Sequence, residues 1–397
     1  MRELTTNQAE AVEKFRRLKV GALFMACGTG KTQAAVSIIN GVDDVDLLYW
    51  LCPCRVKDNL RDELAKCACK YNARIVGIES IGCSDRIFTE ELNTLQNAGR
   101  VFLVCDESIK VKNLRAKRTK RILTMAQYSD YRLILNGTPV TKNIIDIYAQ
   151  MQFLSDKILP YTFNTFRDKY CKYYQVIKGL RIKKTIITGY ANVDHLLSVI
   201  RPYVYQCNLE LKINKRYFTE PWSMNKEERK AYDDLKIELM QEYINYEGEI
   251  NMLAVFSRLQ HSYAICADKF RVADEIIDDK TIVFCKYKIS EAEVLKRYPN
   301  VKVMTYGKGS FGLNLQKYRR IVFFDKTFDY AFREQSEGRI YRNGQKLDCE
   351  YFDLTGDIGL EGLIDKCIAN KEELINHFKR MGNKVTKDNL KKVLEKL

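Results

Sequence analysis

"GALFMACGTGKT", residues 21–32, decides how this chain is read. A short apolar run leads into a glycine turn. "TQAAVSIINGV", residues 32–42, then places Ala34, Ala35, Ile38 and Ile39 at helical spacing. Strand, loop and helix is the context in which a glycine-rich loop can hold phosphate, because backbone N–H groups converge at the helix start. Gly28, Thr29 and Gly30 form the turn, Lys31 is placed to reach β- and γ-phosphates, and Thr32 offers an oxygen to Mg²⁺. Met25 stands where the general phosphate-loop pattern has its first glycine. The loop therefore needs a partner elsewhere in the chain.

"RVFLVCDES", residues 100–108, supplies one. A buried-looking strand, Val101 to Cys105, delivers Asp106 and Glu107 at its end. Adjacent carboxylates divide labour: Asp106 is expected to hold Mg²⁺ through water, and Glu107 to orient and deprotonate the attacking water. "YRLILNGTPV" (131–140) reads as a further strand ending in Asn136, Gly137, Thr138 and Pro139. A second α/β set follows, with "TIVFCKYKISEAEVLKRY" (281–298) as strand then helix and "RRIVFFDK" (319–326) as a buried strand. "REQSEGRIYRNGQK" (333–346) places Arg339 and Arg342 three apart, which predicts one face of a helix. Such a pair facing a triphosphate would spread transition-state charge; the alternative is a surface helix with two solvated arginines.

The 397 residues suit two domains, with 46% apolar and 29% charged residues. The longest apolar runs fall far short of the roughly 20 residues of a membrane span, and the N-terminus has no secretory hydrophobic region. A soluble intracellular protein is expected, in the cytoplasm of a bacterial or virus-infected cell or in a nucleus. Thirteen cysteines scattered through apolar strands suit small buried hydrophobes in a reducing compartment. Cys67 and Cys69, on an expected helix, point apart, so no zinc site is expected. The net charge of +15 favours a polyanionic partner. Seven basic and no acidic residues lie between Lys110 and Arg121. Seven more lie between Arg167 and Lys184 against Asp168 alone, interleaved with Tyr170, Tyr173 and Tyr174. Each run reads as a solvated face or as contact with a nucleic-acid backbone; two runs beside chemical motifs favour the latter.

Taken in order, these elements resemble the Swi/Snf-type ATPases of helicase superfamily two over residues 5 to 378. "LTTNQAEAVEKF" (4–15) is similar to the opening glutamine motif, "MACGTGKT" to motif I, "LCP" (51–53) to motif Ia and "DESIKVKN" (106–113) to motif II. "LILNGTPVTKNIIDIYAQMQFL" (133–154) resembles the motif III block, and "FNTFRDKYC" and "IRPYVYQ" the segments after it. "TIVFCKY", "GSFGLNLQ" (309–316) and "QSEGRIYRNGQ" (335–345) resemble motifs IV, V and VI. The resemblance implies an α/β protein of two tandem RecA-like lobes with mostly parallel sheets, ATP lying between them and duplex DNA crossing the top. It implies that Gln8 contacts adenine, that Lys31 and Thr32 bind phosphate and Mg²⁺, and that Asp106 and Glu107 hold the metal and act as base. It also implies that Gln335, Arg339 and Arg342 complete the site, with Gly312 coupling it to DNA. Thr138 and the basic run headed by Lys110 and Lys112 are expected to grip DNA from the first lobe, and Asn314 near the second. The expected boundaries are 1–205 with a basic hairpin insertion about 165–190, 206–378, and a basic C-terminal helix over 379–397. The stretch "IKGLRIKKTIITGYANVDHLLSVI" (177–200) resembles the subgroup that remodels or anneals forked DNA.

Two departures stand out. Ile109 replaces the usual His after the acids, which removes one polar contact between lobes. Only about ten residues separate the helix ending at Tyr298 from "GKGSFGLNLQ", so a strand, a turn and an Arg-bearing helix are expected to be missing and the second lobe trimmed. No chromatin-reading, nuclease or methylase module is seen, and the size is common in viral genomes. The leading expectation is an ATP-dependent duplex-DNA translocase or remodeller, with replication or repair proteins as further partners, no membrane, and no required oligomer. A strand-separating DNA or RNA helicase would need a wedge, for which Lys178–Gly179 between two β-prone runs is the candidate. A nucleic-acid binder without turnover would have no reason to keep Lys31, Glu107, Arg339 and Arg342 together.

Overall fold

The computed structural model describes residues 3–137, 144–178, 181–209, 211–244, 252–306, 315–342 and 344–370. Thr138, Gly312, Asn314, Gly179 and the expected helix over 379–397 lie outside these described residues. The chain divides into two compact units, Met1–Glu210 and Leu211–Leu397.

The first unit is built on the apolar runs noted above. They form β1 (Val20–Met25), β2 (Leu47–Cys52), β3 (Ala73–Gly77), β4 (Val101–Asp106) and β5 (Tyr131–Asn136). An antiparallel ribbon of β6 (Cys171–Lys178) and β7 (Arg181–Tyr190) follows, and then β8 (Val204–Cys207). The six-stranded sheet runs β3-β2-β4-β5-β1-β8 with every pair parallel. Its central strands are buried nearly throughout, as a sheet covered by helices on both faces requires. Ala22, Phe24, Tyr49, Leu51, Leu103 and Ile134 form the core with Met151, Phe153 and Phe166 from the covering helices. Ala34, Ala35, Ile38 and Ile39 are all buried, the inward face of the helix Lys31–Asn40.

The second unit repeats the plan with β9 (Lys215–Trp222), β10 (Thr281–Cys285), β11 (Lys302–Thr305), β12 (Arg320–Phe323) and β13 (Cys349–Gly356). Their order is β11-β10-β12-β13-β9, again all parallel. Strand β11 corrects one expectation. The lobe was expected to lack a strand after Tyr298, yet Lys302–Thr305 pairs with Ile282–Cys285. Four residues suffice for that edge because Met304 is buried beside Phe284, Tyr306 and Phe323. On the opposite edge, β9 is mostly exposed and is held by stacking of Tyr217 on Tyr351 (5.0 Å) and Phe218 on Phe352 (4.6 Å).

A second correction concerns the cysteines. The helix Lys57–Lys66 stops before Cys67, and Ala68 takes a left-handed φ of 54° that turns the chain away. Cys67 and Cys69 therefore do not share a helix. All thirteen cysteines are free thiols, and no group of three or more His, Cys, Asp or Glu side chains placed to hold a metal occurs among the described residues. No helix among them is long and apolar enough to cross a membrane.

Candidate active site

The sheet order brings the motifs of the first unit together. Strand β5 lies between β1 and β4, so three strand ends are level: Phe24 pairs with Asn136, and Leu135 with Asp106. The phosphate loop follows β1, the acid pair ends β4, and Gly137 follows β5. This is the carboxyl edge of a parallel sheet, where ligands bind in open α/β folds. A Cβ added at Gly137 would lie at an ordinary van der Waals distance, 3.7 Å, from Lys31 Nζ, so the residue that follows β5 is next to the loop lysine.

The loop needs its glycines. Gly28 and Gly30 have φ of 85° and 80°, a left-handed conformation that costs an L-residue about 1–2 kcal/mol. Gly30 has a second reason to lack a side chain. Its Cβ would sit 2.2 Å from the Gln8 Nε2. That nitrogen donates to the carbonyls of Thr29 (2.8 Å) and Gly30 (3.4 Å), while Gln8 Oε1 accepts from the N–H of Thr5. Gln8 thus closes a capping box on its own helix, Thr6–Phe15, and clasps the phosphate loop with the other end of the same amide. In this structure its amide is committed to the loop. Lys31 Nζ donates to the carbonyls of Met25 (2.9 Å) and Ala26 (3.4 Å), and half-buried Thr32 follows at the start of the helix.

Asp106 is the electrostatic focus. Burial and the neighbouring Glu107 carboxylate push its carboxyl up to about 7, against the pull of the Lys31 ammonium. A carboxylate so placed asks for more positive charge than Lys31 supplies. The chemistry of that carboxylate fits a divalent cation. Glu107 takes the left-handed conformation, φ 50° and ψ 49°, and its N–H donates to Asp106 Oδ1 at 2.8 Å. Such an outlier in a non-glycine residue costs about 1 kcal/mol or more and persists where the surroundings hold it.

Lys110 and Lys112, expected to touch DNA, both have acidic partners in the same unit. Lys110 Nζ is 2.5 Å from Glu79 Oε1, and Lys112 Nζ is 3.4 Å from Asp146 Oδ2. Glu79 also accepts the N–H of Cys54, next to the "LCP" motif. Burial works against its ionisation, but Lys110 and backbone N–H groups outweigh it and hold the carboxyl down at about 2. Arg121, at the other end of the run, is buried against the carbonyls of Ile81 and Ser84 and pairs with Asp85. No local signal marks Glu79; its role arises only because 31 residues of chain fold back on Lys110.

The second basic run forms a ribbon. Its base is fixed by Arg167 stacked 4.4 Å over Tyr173, by the Tyr173 hydroxyl on Asp168, and by Tyr170 hydrogen-bonded to His195 at 2.9 Å. Strand register places Lys172 opposite Gly189 and Val176 opposite Lys184, and Tyr174 is exposed.

In the second unit, Gln335 lies on the helix Tyr330–Glu337, and its Oε1 is buried without a partner among the described residues. Arg339 and Arg342 do not lie on that helix. It ends at Glu337 with Gly338 as its cap, and the chain continues in tight turns, Arg339 N–H to Ser336 and Gln345 N–H to Arg342. Gly338 has an ordinary φ of −66°; glycine's low helix propensity, about 1 kcal/mol below alanine, favours the stop there. Arg339 is buried and Arg342 half-buried. Gln345 holds these turns and was quoted above only as part of a signature. Its Nε2 reaches the carbonyls of Gln316 (3.1 Å), Tyr318 (2.8 Å) and Ile340 (3.3 Å), while its Oε1 accepts from the N–H groups of Lys346 and Leu347. Gly344 before it has φ 99°. Arg333, on the same helix, pairs with Glu337 one turn on and with Asp353 of β13, and Tyr217 of β9 donates to Glu337 at 2.8 Å, which steadies the helix end that feeds the arginines.

The family model for the SNF2-related domain matches residues 22–269, more than half of the chain. The chain belongs to the SNF2-related family. These are Swi/Snf-type, helicase-like ATPases of superfamily two. The matched span of the SNF2-related domain holds the phosphate loop and the acid pair; Gln335, Arg339 and Arg342 lie beyond it. The chain is 35% identical over 71 residues to the TATA-binding protein-associated factor mot1 of Schizosaccharomyces pombe, which is 18% of this chain and 4% of that protein. It is 36% identical over 67 residues to the SWI/SNF chromatin-remodeling complex subunit snf22 of the same yeast, 17% of this chain and 4% of that one. With Protein CHROMATIN REMODELING 19 of Arabidopsis thaliana it shares 23% identity over 175 residues, 35% of this chain and 22% of the relative. The chain thus spans a small part of these relatives' length. Among solved structures it is similar to the Sulfolobus solfataricus SWI2/SNF2 ATPase core in complex with dsDNA, at 18% identity and a TM-score of 0.45, covering 99% of this chain and 95% of that one.

Proposed function

We propose that this SNF2-related chain is a DNA-dependent ATPase that moves along or remodels duplex DNA. The observation that carries the reading is the meeting of Lys31, Asp106, Glu107 and Gly137 at three level strand ends of one parallel sheet. A lysine, a desolvated carboxylate and a second carboxylate in a left-handed turn form the minimal set for phosphoryl transfer to water. Lys31, freed from the Met25 carbonyl, would bind the terminal phosphates. Glu107 would orient the water and take its proton. Mg²⁺, held by Thr32 and Asp106, would supply positive charge against the phosphate oxygens. Arg339 and Arg342 are the residues proposed to add positive charge to the reaction, with Gln335 as a further polar group, as the family resemblance implies. Gln8 would report on the nucleotide through the loop that it clasps, in place of or in addition to touching adenine.

DNA as partner is supported by the net charge of +15 and by the family, whose relatives include a chromatin-remodeling subunit. Contacts to phosphate should dominate, which makes binding sequence-independent and salt-sensitive. The antiparallel β6–β7 pair, which flanks Lys178–Gly179, is the candidate for the wedge that strand separation would need. The test is the ATPase rate at fixed salt with duplex DNA, single-stranded DNA or RNA added. Glu107→Gln serves as the variant expected to bind ATP without turnover. Strong stimulation by duplex supports translocation. Preference for RNA together with displacement of an annealed strand supports the helicase reading. Absence of turnover with every nucleic acid, or full turnover by Glu107→Gln, refutes the ATPase reading or the role of its base respectively.

A further inference from the structure

The turn that carries Glu107 is held from the core by a side chain outside the residues assigned above. Ser108, the next residue, is fully buried, and its Oγ donates to Gln150 Oε1 at 2.7 Å. Gln150 is also fully buried, in the middle of the helix Ile145–Leu154, where Ile147, Tyr148, Ala149, Met151, Phe153 and Leu154 are buried with it. Its Nε2 donates to the carbonyl of Asp146 at 2.9 Å, one helical turn back, which fixes which end of the amide faces Ser108. Asp146 in turn receives Lys112. Ser108 and Lys112 are four residues apart on the short turn after Glu107. Gln150 and Asp146 are four apart on the helix. The two segments therefore meet in two rungs, one buried and neutral, one charged.

An amide and a hydroxyl in an apolar interior add little net stability over two well-packed hydrophobic groups, and each is expensive if left alone. What the pair does supply is position. It fixes the backbone one residue beyond a carboxylate held in an unfavourable left-handed conformation. We propose that Gln150 is a positioning residue for catalysis: through Ser108 it sets the Glu107 carboxylate, and it links that carboxylate to the helix that follows the motif III strand. The inference rests on the ATPase reading of the site and adds a residue to it. Gln150 touches neither substrate nor metal in this role.

The experiment is a double-mutant cycle on the full chain, with DNA-stimulated ATP hydrolysis as readout. Gln150→Leu keeps the volume and removes the amide; Ser108→Ala removes the hydroxyl. Each is expected to lower kcat by about 10- to 100-fold, the order expected when a reacting group is displaced by a fraction of an ångström to an ångström. KM for ATP should stay within about twofold, since Lys31 and the loop are untouched, and the double variant should be no slower than the slower single one. Binding of a non-hydrolysable ATP analogue and the near-ultraviolet circular dichroism should match the parent. If Gln150→Leu does not fold, Gln150→Met and Ser108→Ala complete the same cycle. The proposal is overturned by a kcat within twofold of the parent, by losses that multiply in the double variant, or by a rise in KM at constant kcat. A parent chain without turnover removes the ATPase reading and the positioning role together; an active parent with unaffected variants removes only the latter.

Discussion

Gly30→Ala tests the clasp between the first helix and the phosphate loop, and its two costs can be separated. The backbone cost follows from φ 80°: a Cβ in the left-handed region destabilises by about 1–2 kcal/mol. The contact cost follows from the 2.2 Å approach to Gln8 Nε2, which no Cβ can tolerate. Gln8 must withdraw, and its buried bond to the Thr29 carbonyl contributes about 1 kcal/mol. Gly30→Ala should therefore lose about 2–3 kcal/mol of stability in the first unit. Gln8→Ala alone should lose about 1–2 kcal/mol, from the bonds at Thr5 and Thr29. In the double variant the collision is absent and the Gln8 bonds are lost only once, so about 1 kcal/mol should be missing from the sum. Urea unfolding, read with a probe for the first unit, measures the four corners of this cycle, and titration with a fluorescent ATP analogue reads the loop. Additivity within about 0.3–0.5 kcal/mol, the usual behaviour of independent sites, would refute the clasp.

Two further outcomes are expected. Arg342→Ala should lower kcat by about 10³-fold if the guanidinium spreads transition-state charge, and a loss below about fivefold in steady-state turnover would assign it to the surface. Lys286, beside Gln260 and Phe328, is lowered by burial from 10.5 to about 7. Between those values the unfolded chain binds one more proton than the folded one, so this lysine makes stability rise with pH from about 7 upward. Lys286→Met should remove that slope from the unfolding midpoint of the second unit, and an unchanged slope would show that Lys286 stays charged.

Much of the site was legible because its signals are local. An apolar run of strand length, glycines where φ turns positive and an amphipathic helix are written within a dozen residues, and the acids at the end of β4 are written the same way. The helix expected to carry Arg339 and Arg342 failed on a local matter as well. Three-residue spacing is equally compatible with successive turns, and Gly338 favours the stop. The missing strand was inferred from a short interval, but four residues of β11 are enough when one side chain fills the core.

The amino-acid sequence by itself determined that this chain has a phosphate loop, a paired-acid strand end and a second α/β unit, because each depends on neighbours in the chain. Only the tertiary structure decided that β5 separates β1 from β4, that Gln8 reaches Thr29 across 21 residues, that Glu79 meets Lys110 across 31 and that Ser108 meets Gln150 across 42. These pairings join residues whose local patterns are ordinary. They arise where parallel strands end side by side and the chain between them has left and returned, and no periodicity in the sequence records that return.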